Sequence, residues 1–348
     1  MQMNPLGRTG MTVTELCLGS MTWASQNTEA EGHRQIDMAL DHGVNFIDTA
    51  EMYPANPPAG AQCGDTEAIL GTWIAANRAR RKSVIVATKV SGAGMRRLRD
   101  GAPISRATIA EAVAGSLKRL QTDVIDLYQL HWPNRGSYMF RQNWGYDPTR
   151  QDSDQVADHM AEVIDCMDEL VKAGTVRAFG LSNESAWGTA RWLAVAEARG
   201  GPRVASMQNE YSLMCRLYDT DMAELSHHED VGLLAFSPLA CGILSGKYQG
   251  DATPEGSRRA LGGTLGGRMT PRTLPAAQAY LDIAKRHGLD PCQMALAWCR
   301  TRPFMASAIF GATKEDQLET ALKSVEVTLS GEVMEDIDAA HRAHPMPF

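Results

Sequence analysis

The chain has 348 residues, 44% of them hydrophobic and 22% charged, with a formal net charge of −7. These values sit near globular averages, and no apolar run reaches the roughly eighteen residues needed to span a bilayer, so a soluble protein is expected. The acidic balance argues against broad attachment to nucleic acid or to an anionic membrane.

Cys17, Cys63, Cys166, Cys215, Cys241, Cys292 and Cys299 are odd in number and never spaced as CxxC, which indicates neither a disulfide framework nor a zinc site. Met1 to Thr14 has neither the basic start nor the apolar stretch of a secretory signal, so the expected location is cytoplasmic.

In chain order, eight short apolar runs alternate with amphipathic stretches, the pattern of a parallel sheet with helical crossovers. The runs are Leu16 to Ser20, Val44 to Asp48, Val84 to Lys89, Val124 to Leu130, Val176 to Leu181, Val204 to Gln208, Gly232 to Phe236 and Ala308 to Gly311. Eight strands with helices between them predict an α/β (β/α)8 TIM barrel, and near-even spacing favours one domain over residues 1–348.

Thr28 and Glu31 have capping-box spacing ahead of Ile36, Ala39 and Leu40, with Gly43 as a stop. Asp65 or Thr66 can cap a helix carrying Ile69, Leu70, Trp73 and Ile74. Ser105 or Thr108 precedes a face of Ile109, Val113, Leu117 and Leu120, and later helices end at Gly174 and at Gly200-Gly201. The basic cluster Arg78, Arg80, Arg81 and Lys82 reads as a solvated helix end.

Three stretches are long and irregular: Pro54 to Cys63, Trp132 to Gln155, and Cys241 to Leu274. All follow strand ends, where a barrel carries its active site, so they are either lids and substrate walls or surface insertions. The run Gly262 to Gly267 is no dinucleotide fingerprint, because no strand precedes it and no helix clearly follows; it reads as a mobile loop.

Asp48 ends the second run, Lys89 the third, and His131 follows the fourth, so all three converge on one barrel face. Tyr53 lies five residues past Asp48 in the same βα loop. This set suits protonation of a carbonyl oxygen as hydride reaches its carbon. Tyr53 is the candidate acid, Lys89 a cation lowering its pKa, Asp48 the partner that keeps Lys89 charged, and His131 a hydrogen-bond donor to the substrate oxygen. Singly, each has a plainer reading: a helix cap, a strand end, an edge histidine, a loop anchor.

With these residues placed, the chain resembles the aldo-keto reductase family, in its bacterial Tas-type branch. The motifs carrying the resemblance are Leu6-Gly7-Arg8-Thr9-Gly10, Leu18-Gly19-Ser20-Met21, Asn45 to Tyr53, Thr88-Lys89, Ser116 to Leu120 and Asp126 to Pro133. The resemblance implies a barrel with a short N-terminal β-hairpin, the tetrad Asp48, Tyr53, Lys89 and His131, and NADPH as the usual hydride donor. It implies that Gly19, Met21 and Asp48 border the cofactor, that Ser182, Asn183 and Gln208 bind its carboxamide, and that Phe236 stacks on the nicotinamide; a core aromatic is the plainer reading of Phe236.

Ser237, Pro238, Leu239, Cys241, Gly242, Ser245 and Lys247 match the family's pyrophosphate loop. Arg258 either adds charge there or faces solvent. Gly311, Thr313, Lys314 and Gln317 resemble the adenosine segment, with Lys314 placed to pair with a 2′-phosphate. Thr320 and Ala321 stand where glutamate and asparagine usually face adenine, which leaves NADH possible.

Trp23, Trp132 and Tyr138 are expected to wall a pocket for a small carbonyl substrate. No metal site is expected, since HxH and HExxH are missing. The rival readings are an NADPH-binding regulatory barrel with little turnover and a Schiff-base enzyme using Lys89 as nucleophile, which would want a neutral amine instead of one paired with Asp48.

Overall fold

The computed structural model describes residues 1–55, 57 and 60–348. Among the described residues, ten strands form two sheets. β1 (Met3–Pro5) and β2 (Thr12–Thr14) make the antiparallel hairpin. β3 (Leu16–Gly19), β4 (Phe46–Asp48), β5 (Ile85–Val90), β6 (Ile125–Leu130), β7 (Val176–Ser182), β8 (Val204–Glu210), β9 (Gly232–Phe236) and β10 (Met305–Phe310) run parallel and close into a barrel, β10 pairing with both β9 and β3. The expected runs fall on these strands to within two residues at either end, except the last, whose strand starts three residues earlier, at Met305.

The helices are α1 (Glu29–Asp41), α2 (Asp65–Ala76), α3 (Arg106–Leu120), α4 (Ser153–Lys172), α5 (Ala186–Arg199), α6 (Asp221–Glu229), α7 (Arg258–Gly262), α8 (Thr273–Arg286), α9 (Pro291–Arg300), α10 (Glu315–Lys323) and α11 (Gly331–Ala343). Thr28 and Glu31 form the expected capping box on α1, and Ser105 with Thr108 forms one on α3. α2 departs from expectation. Its N-cap is Gly64 in the left-handed region, and Asp65 is already inside the helix, its carboxylate accepting from the Gln62 amide at 2.7 Å. No helix among the described residues is long and apolar enough to cross a membrane.

The hairpin plugs the N-terminal mouth of the barrel. Leu6, Met11 and Val13 pack in one cluster with Cys17, Phe46, Ala87, Leu127, Ala178, Ala205, Leu234, Ala306 and Ile309, at least one from every barrel strand. Gly7 permits that approach, since a Cβ there would lie 2.4 Å from the Ala205 carbonyl oxygen. A second, larger cluster lies between the strands and the surrounding helices.

The Cys241 to Leu274 stretch is more ordered than a loop. It contains α7 and leads into α8 at Thr273, and between the two helices Leu265 and Arg268 are only 3% and 5% exposed. The Gly262 to Gly267 run is thus anchored between two helices. Of the Pro54 to Cys63 loop, residues 56, 58 and 59 lie outside the described residues.

Candidate active site

Strand periodicity builds the site. Side chains two apart share a face, so above the apolar layer of Phe46, Ala87 and Leu127 come Asp48, Lys89 and Gln129, with His131 one layer higher. Register aligns them: Asp48 lies opposite Gly19 on one side and Ala87 on the other, and Lys89 opposite Gln129.

Lys89 Nζ donates to Asp48 Oδ2 at 2.7 Å and to the Thr49 carbonyl at 2.6 Å, with Lys89 fully buried. Asp48 Oδ1 accepts from Gln208 Nε2 at 2.8 Å and Gln129 Nε2 at 3.2 Å. A buried ion pair persists only when its spare lone pairs and protons are satisfied, and the two glutamines and Thr49 do that. Burial works against the Lys89 ammonium, but Asp48 and Tyr53 outweigh it and hold its pKa above the ordinary value.

Tyr53 leans over this pair, its ring centroid 5.0 Å from Lys89 Nζ and 5.8 Å from the His131 ring, which it meets edge-on. Burial raises the phenol pKa more than Lys89 lowers it. That corrects the expectation of a lowered value: the cation acts in the expected direction, but desolvation of the phenolate wins. His131 is held well below the ordinary imidazole range, first by burial and then by Lys89. A neutral phenol and a neutral imidazole therefore stand together, each able to donate a hydrogen bond to an oxygen that gains negative charge.

Around the tetrad, Asn183 adopts a left-handed backbone (φ 54°) at the end of β7. Its Nδ2 donates to the His131 carbonyl at 2.9 Å and to Ser182 Oγ at 3.0 Å, while its buried Oδ1 has no hydrogen-bond partner among the described residues. Ser182 Oγ donates to the Gln208 carbonyl at 2.8 Å. Gln208 spends its amide N–H groups on Asp48 and Gln129, which sets it more deeply than a cofactor contact alone requires.

Phe236 ends β9, half-buried. Ser237, Ala240, Cys241, Gly242 and Gly246 all have positive φ, a winding backbone of the kind that turns N–H groups toward an anion. Within it Ser245 Oγ donates to the Gly242 carbonyl at 2.7 Å, and a Cβ on Gly242 would lie 2.9 Å from Lys247 Nζ. Protein packed around Lys247 lowers its amine pKa below the ordinary value.

Arg258 turns inward: its Nη2 lies 3.9 Å from Met21 Sδ, and its charge is felt at Tyr53. Gln317 Oε1 accepts from both the amide and the hydroxyl of Thr313 at 3.2 Å, and exposed Lys314 stands at the start of α10. Gly19 and Gly311 bring β3 and β10 close: a Cβ on Gly311 would lie 3.2 Å from the Gly19 carbonyl oxygen. A nicotinamide dinucleotide fits this set. The unpartnered Asn183 oxygen suits a carboxamide N–H, and the left-handed loop with Lys247 and Lys314 suits phosphates.

Trp132 lies between His131 (4.9 Å between ring centroids) and Phe140 (6.3 Å), its indole N–H donating to the Ala93 carbonyl at 3.1 Å. Tyr138 meets Tyr146 edge-on, and burial pushes its phenol up to about 12. Trp23 is not a pocket wall. It is fully buried against Gly32 of α1 and bonded through its indole N–H to Gln35 at 2.8 Å, because the β3–α1 loop folds it under the helix.

Two features escaped sequence reasoning. Gln129 was visible only as a polar residue inside an apolar strand. Three carboxylates at or just past strand ends form buried ion pairs: Glu51 with Arg99 (2.9 Å), Glu184 with Arg135 (2.7 Å), and Glu210 with both Arg141 (2.7 Å) and Arg268 (2.6 Å). Their partners lie 48 to 69 residues away in sequence, so no local pattern announces them.

The sequence pattern of the Aldo/keto reductase family matches residues 15–342. The chain is 42% identical over 350 aligned positions to "Protein tas" of Escherichia coli (strain K12), covering 100% of this chain and 99% of that one. It is 31% identical to "Uncharacterized oxidoreductase YrpG" of Bacillus subtilis (strain 168), covering 96% and 94%. It is also 31% identical to the "Probable voltage-gated potassium channel subunit beta" of Arabidopsis thaliana, covering 99% and 98%.

Proposed function

The chain belongs to the aldo-keto reductase family and is an NAD(P)H-dependent oxidoreductase, and from that premise we propose that it reduces an aldehyde or ketone to the alcohol, with NADPH as donor and Tyr53 as general acid. The observation carrying this reading is the buried Lys89–Asp48 pair beside Tyr53 and a neutral His131.

When bound, the cofactor supplies hydride to the carbonyl carbon. His131 and Tyr53 then hold the carbonyl oxygen by hydrogen bonds that strengthen as it gains charge, and the Tyr53 hydroxyl gives up its proton to that oxygen. Lys89 stabilises the phenolate left behind, and Asp48, steadied by Gln129 and Gln208, keeps Lys89 charged and in place. Ser182 and Asn183 orient the carboxamide, while the Ser237 to Lys247 loop receives the diphosphate. Lys247 and Lys314 support NADPH as the preferred form.

Tyr53→Phe tests the mechanism. Oxidation of NADPH by an activated aldehyde should fall about a hundred- to ten-thousand-fold, with NADPH binding retained; undiminished turnover would remove Tyr53 as the acid. A regulatory role, suggested by likeness to a protein named as a channel subunit, predicts tight NADPH binding without turnover on any of a broad carbonyl panel.

A further inference from the structure

Gln129 is a fully buried amide inside the barrel, on a strand whose inward side chain two residues earlier is the apolar Leu127. Its Nε2 donates to Asp48 Oδ1 at 3.2 Å, and its Oε1 accepts from Gln208 Nε2 at 3.2 Å. Gln208 Nε2 also donates to Asp48 Oδ1, at 2.8 Å, so side chains from β4, β6 and β8 close a ring of hydrogen bonds. A glycine makes that ring possible. Gly180 of β7 lies opposite Gln129 in register, and a Cβ there would stand 2.6 Å from Ser206 Oγ and 3.4 Å from Leu127 Cδ1. At this level β7 therefore puts no side chain between Gln129 and Gln208.

The ring fixes which way both amides face. A carboxylate only accepts, so each glutamine turns its nitrogen to Asp48, and the second N–H of Gln208 then meets the Gln129 oxygen. With both protons committed, Gln208 has only its oxygen left to offer a nicotinamide carboxamide. Each amide donor also draws charge from Asp48 Oδ1. That loosens the hold of Asp48 on Lys89 and leaves more of the ammonium's field for a phenolate on Tyr53. A buried amide is costly without partners, and a methionine would fill the same space; what the amide adds is these two bonds.

We propose that Gln129 is a positioning residue for the reaction: beyond steadying Asp48, it ties that carboxylate to Gln208, so that the nicotinamide seat and the proton donor are set as one unit. This role rests on the carbonyl-reductase reading above. The titratable groups around the ring are Asp48, Lys89 and Tyr53, with His131 one layer higher and Cys17 in the apolar layer beneath. All five are retained in the variants that test the role.

The test compares Gln129→Met and Gln129→Glu with the wild type in NADPH-dependent reduction of an activated aldehyde, from mildly acid to mildly alkaline pH. Gln129→Met keeps the bulk and loses both bonds, so kcat should fall about tenfold at every pH, with a smaller change in NADPH affinity. In Gln129→Glu the new carboxyl, while protonated, donates to Asp48 and accepts from Gln208, which restores the ring. Beside Asp48 and out of water its pKa is raised above the ordinary ~4.3, so it keeps its proton at the acid end and sheds it as pH rises. Its kcat relative to wild type should exceed that of Gln129→Met at the acid end, and the advantage should shrink toward alkaline pH. A loss of packing alone would show no such recovery. Circular dichroism verifies that both variants fold.

An undiminished kcat in Gln129→Met overturns the proposal. So does a Gln129→Glu enzyme as slow as Gln129→Met across the whole pH range, which would leave the amide no role but filling space. If the wild type reduces no aldehyde of a broad panel, the reductase reading fails on separate grounds, and urea unfolding of Gln129→Met, Gln208→Met and the double variant decides the link itself. A double loss smaller than the sum of the two single losses sustains the link, because the shared bond is lost only once; simple additivity overturns it.

Discussion

Lys89→Met would strand the Asp48 carboxylate at the floor of the active site. The lysine is fully buried, Asp48 is 3% exposed, and the nearest compensation left would be the amide donors of Gln129 and Gln208 at 3.2 and 2.8 Å. Breaking one side of a buried pair typically costs about 3–5 kcal/mol, a large fraction of a total stability of roughly 5–15 kcal/mol.

The double variant Asp48→Asn/Lys89→Met removes both charges but keeps an acceptor oxygen for the two glutamines. It should therefore recover roughly 2 kcal/mol of the single variant's loss. Arg8→Ala provides the contrast, since the Arg8–Asp230 pair is 54% and 58% exposed and exposed pairs contribute about 0–1 kcal/mol. Urea unfolding followed by circular dichroism measures all three. A double variant no more stable than Lys89→Met would refute the claim that a stranded charge, instead of lost packing, sets the cost.

Two further outcomes follow from the site. His131 is held well below the ordinary histidine value of 6.5, so the unfolded chain takes up its proton first as pH falls; this residue's contribution to stability is present above pH 6.5 and declines below it. His131→Leu should flatten that part of the pH–stability curve, and an unchanged slope would show that other groups set it. If Lys314 pairs with a 2′-phosphate, Lys314→Ala should weaken NADPH binding by ~10-fold, near 1.4 kcal/mol, and leave NADH binding as it was; calorimetric titration with each cofactor shows whether the loss is selective.

Much of this site was legible because strand periodicity carries chemistry in a barrel. Asp48, Lys89 and His131 come within reach of one another simply because each stands at or just past the end of a strand, and neighbouring parallel strands end on the same face. The helix caps at Thr28 and Ser105 were equally local and equally readable. Trp23 was misplaced for the opposite reason: nothing in its neighbours tells whether a loop tryptophan turns toward the barrel mouth or under α1.

The sign of the Tyr53 shift also depends on context, being a contest between one cation and the burial of the whole phenol. The Glu210 trio joins a strand end to two loops far apart in the chain. Such pairings are decided by how the loops fold over the barrel, after the strands have set its shape.

The hairpin plug ties the order of synthesis to the order of folding. Asn4 Nδ2 donates to the Ala306 carbonyl at 2.9 Å, across 302 residues, and β3 gains one of its two neighbours only when β10 arrives. While a ribosome is still making the middle of the chain, β3 has an open flank and Leu6, Met11 and Val13 have an incomplete floor to sit on. An open strand flank and bare apolar side chains invite association with other chains. The ring shuts late, so that open flank lasts until the segment carrying β10 has been made.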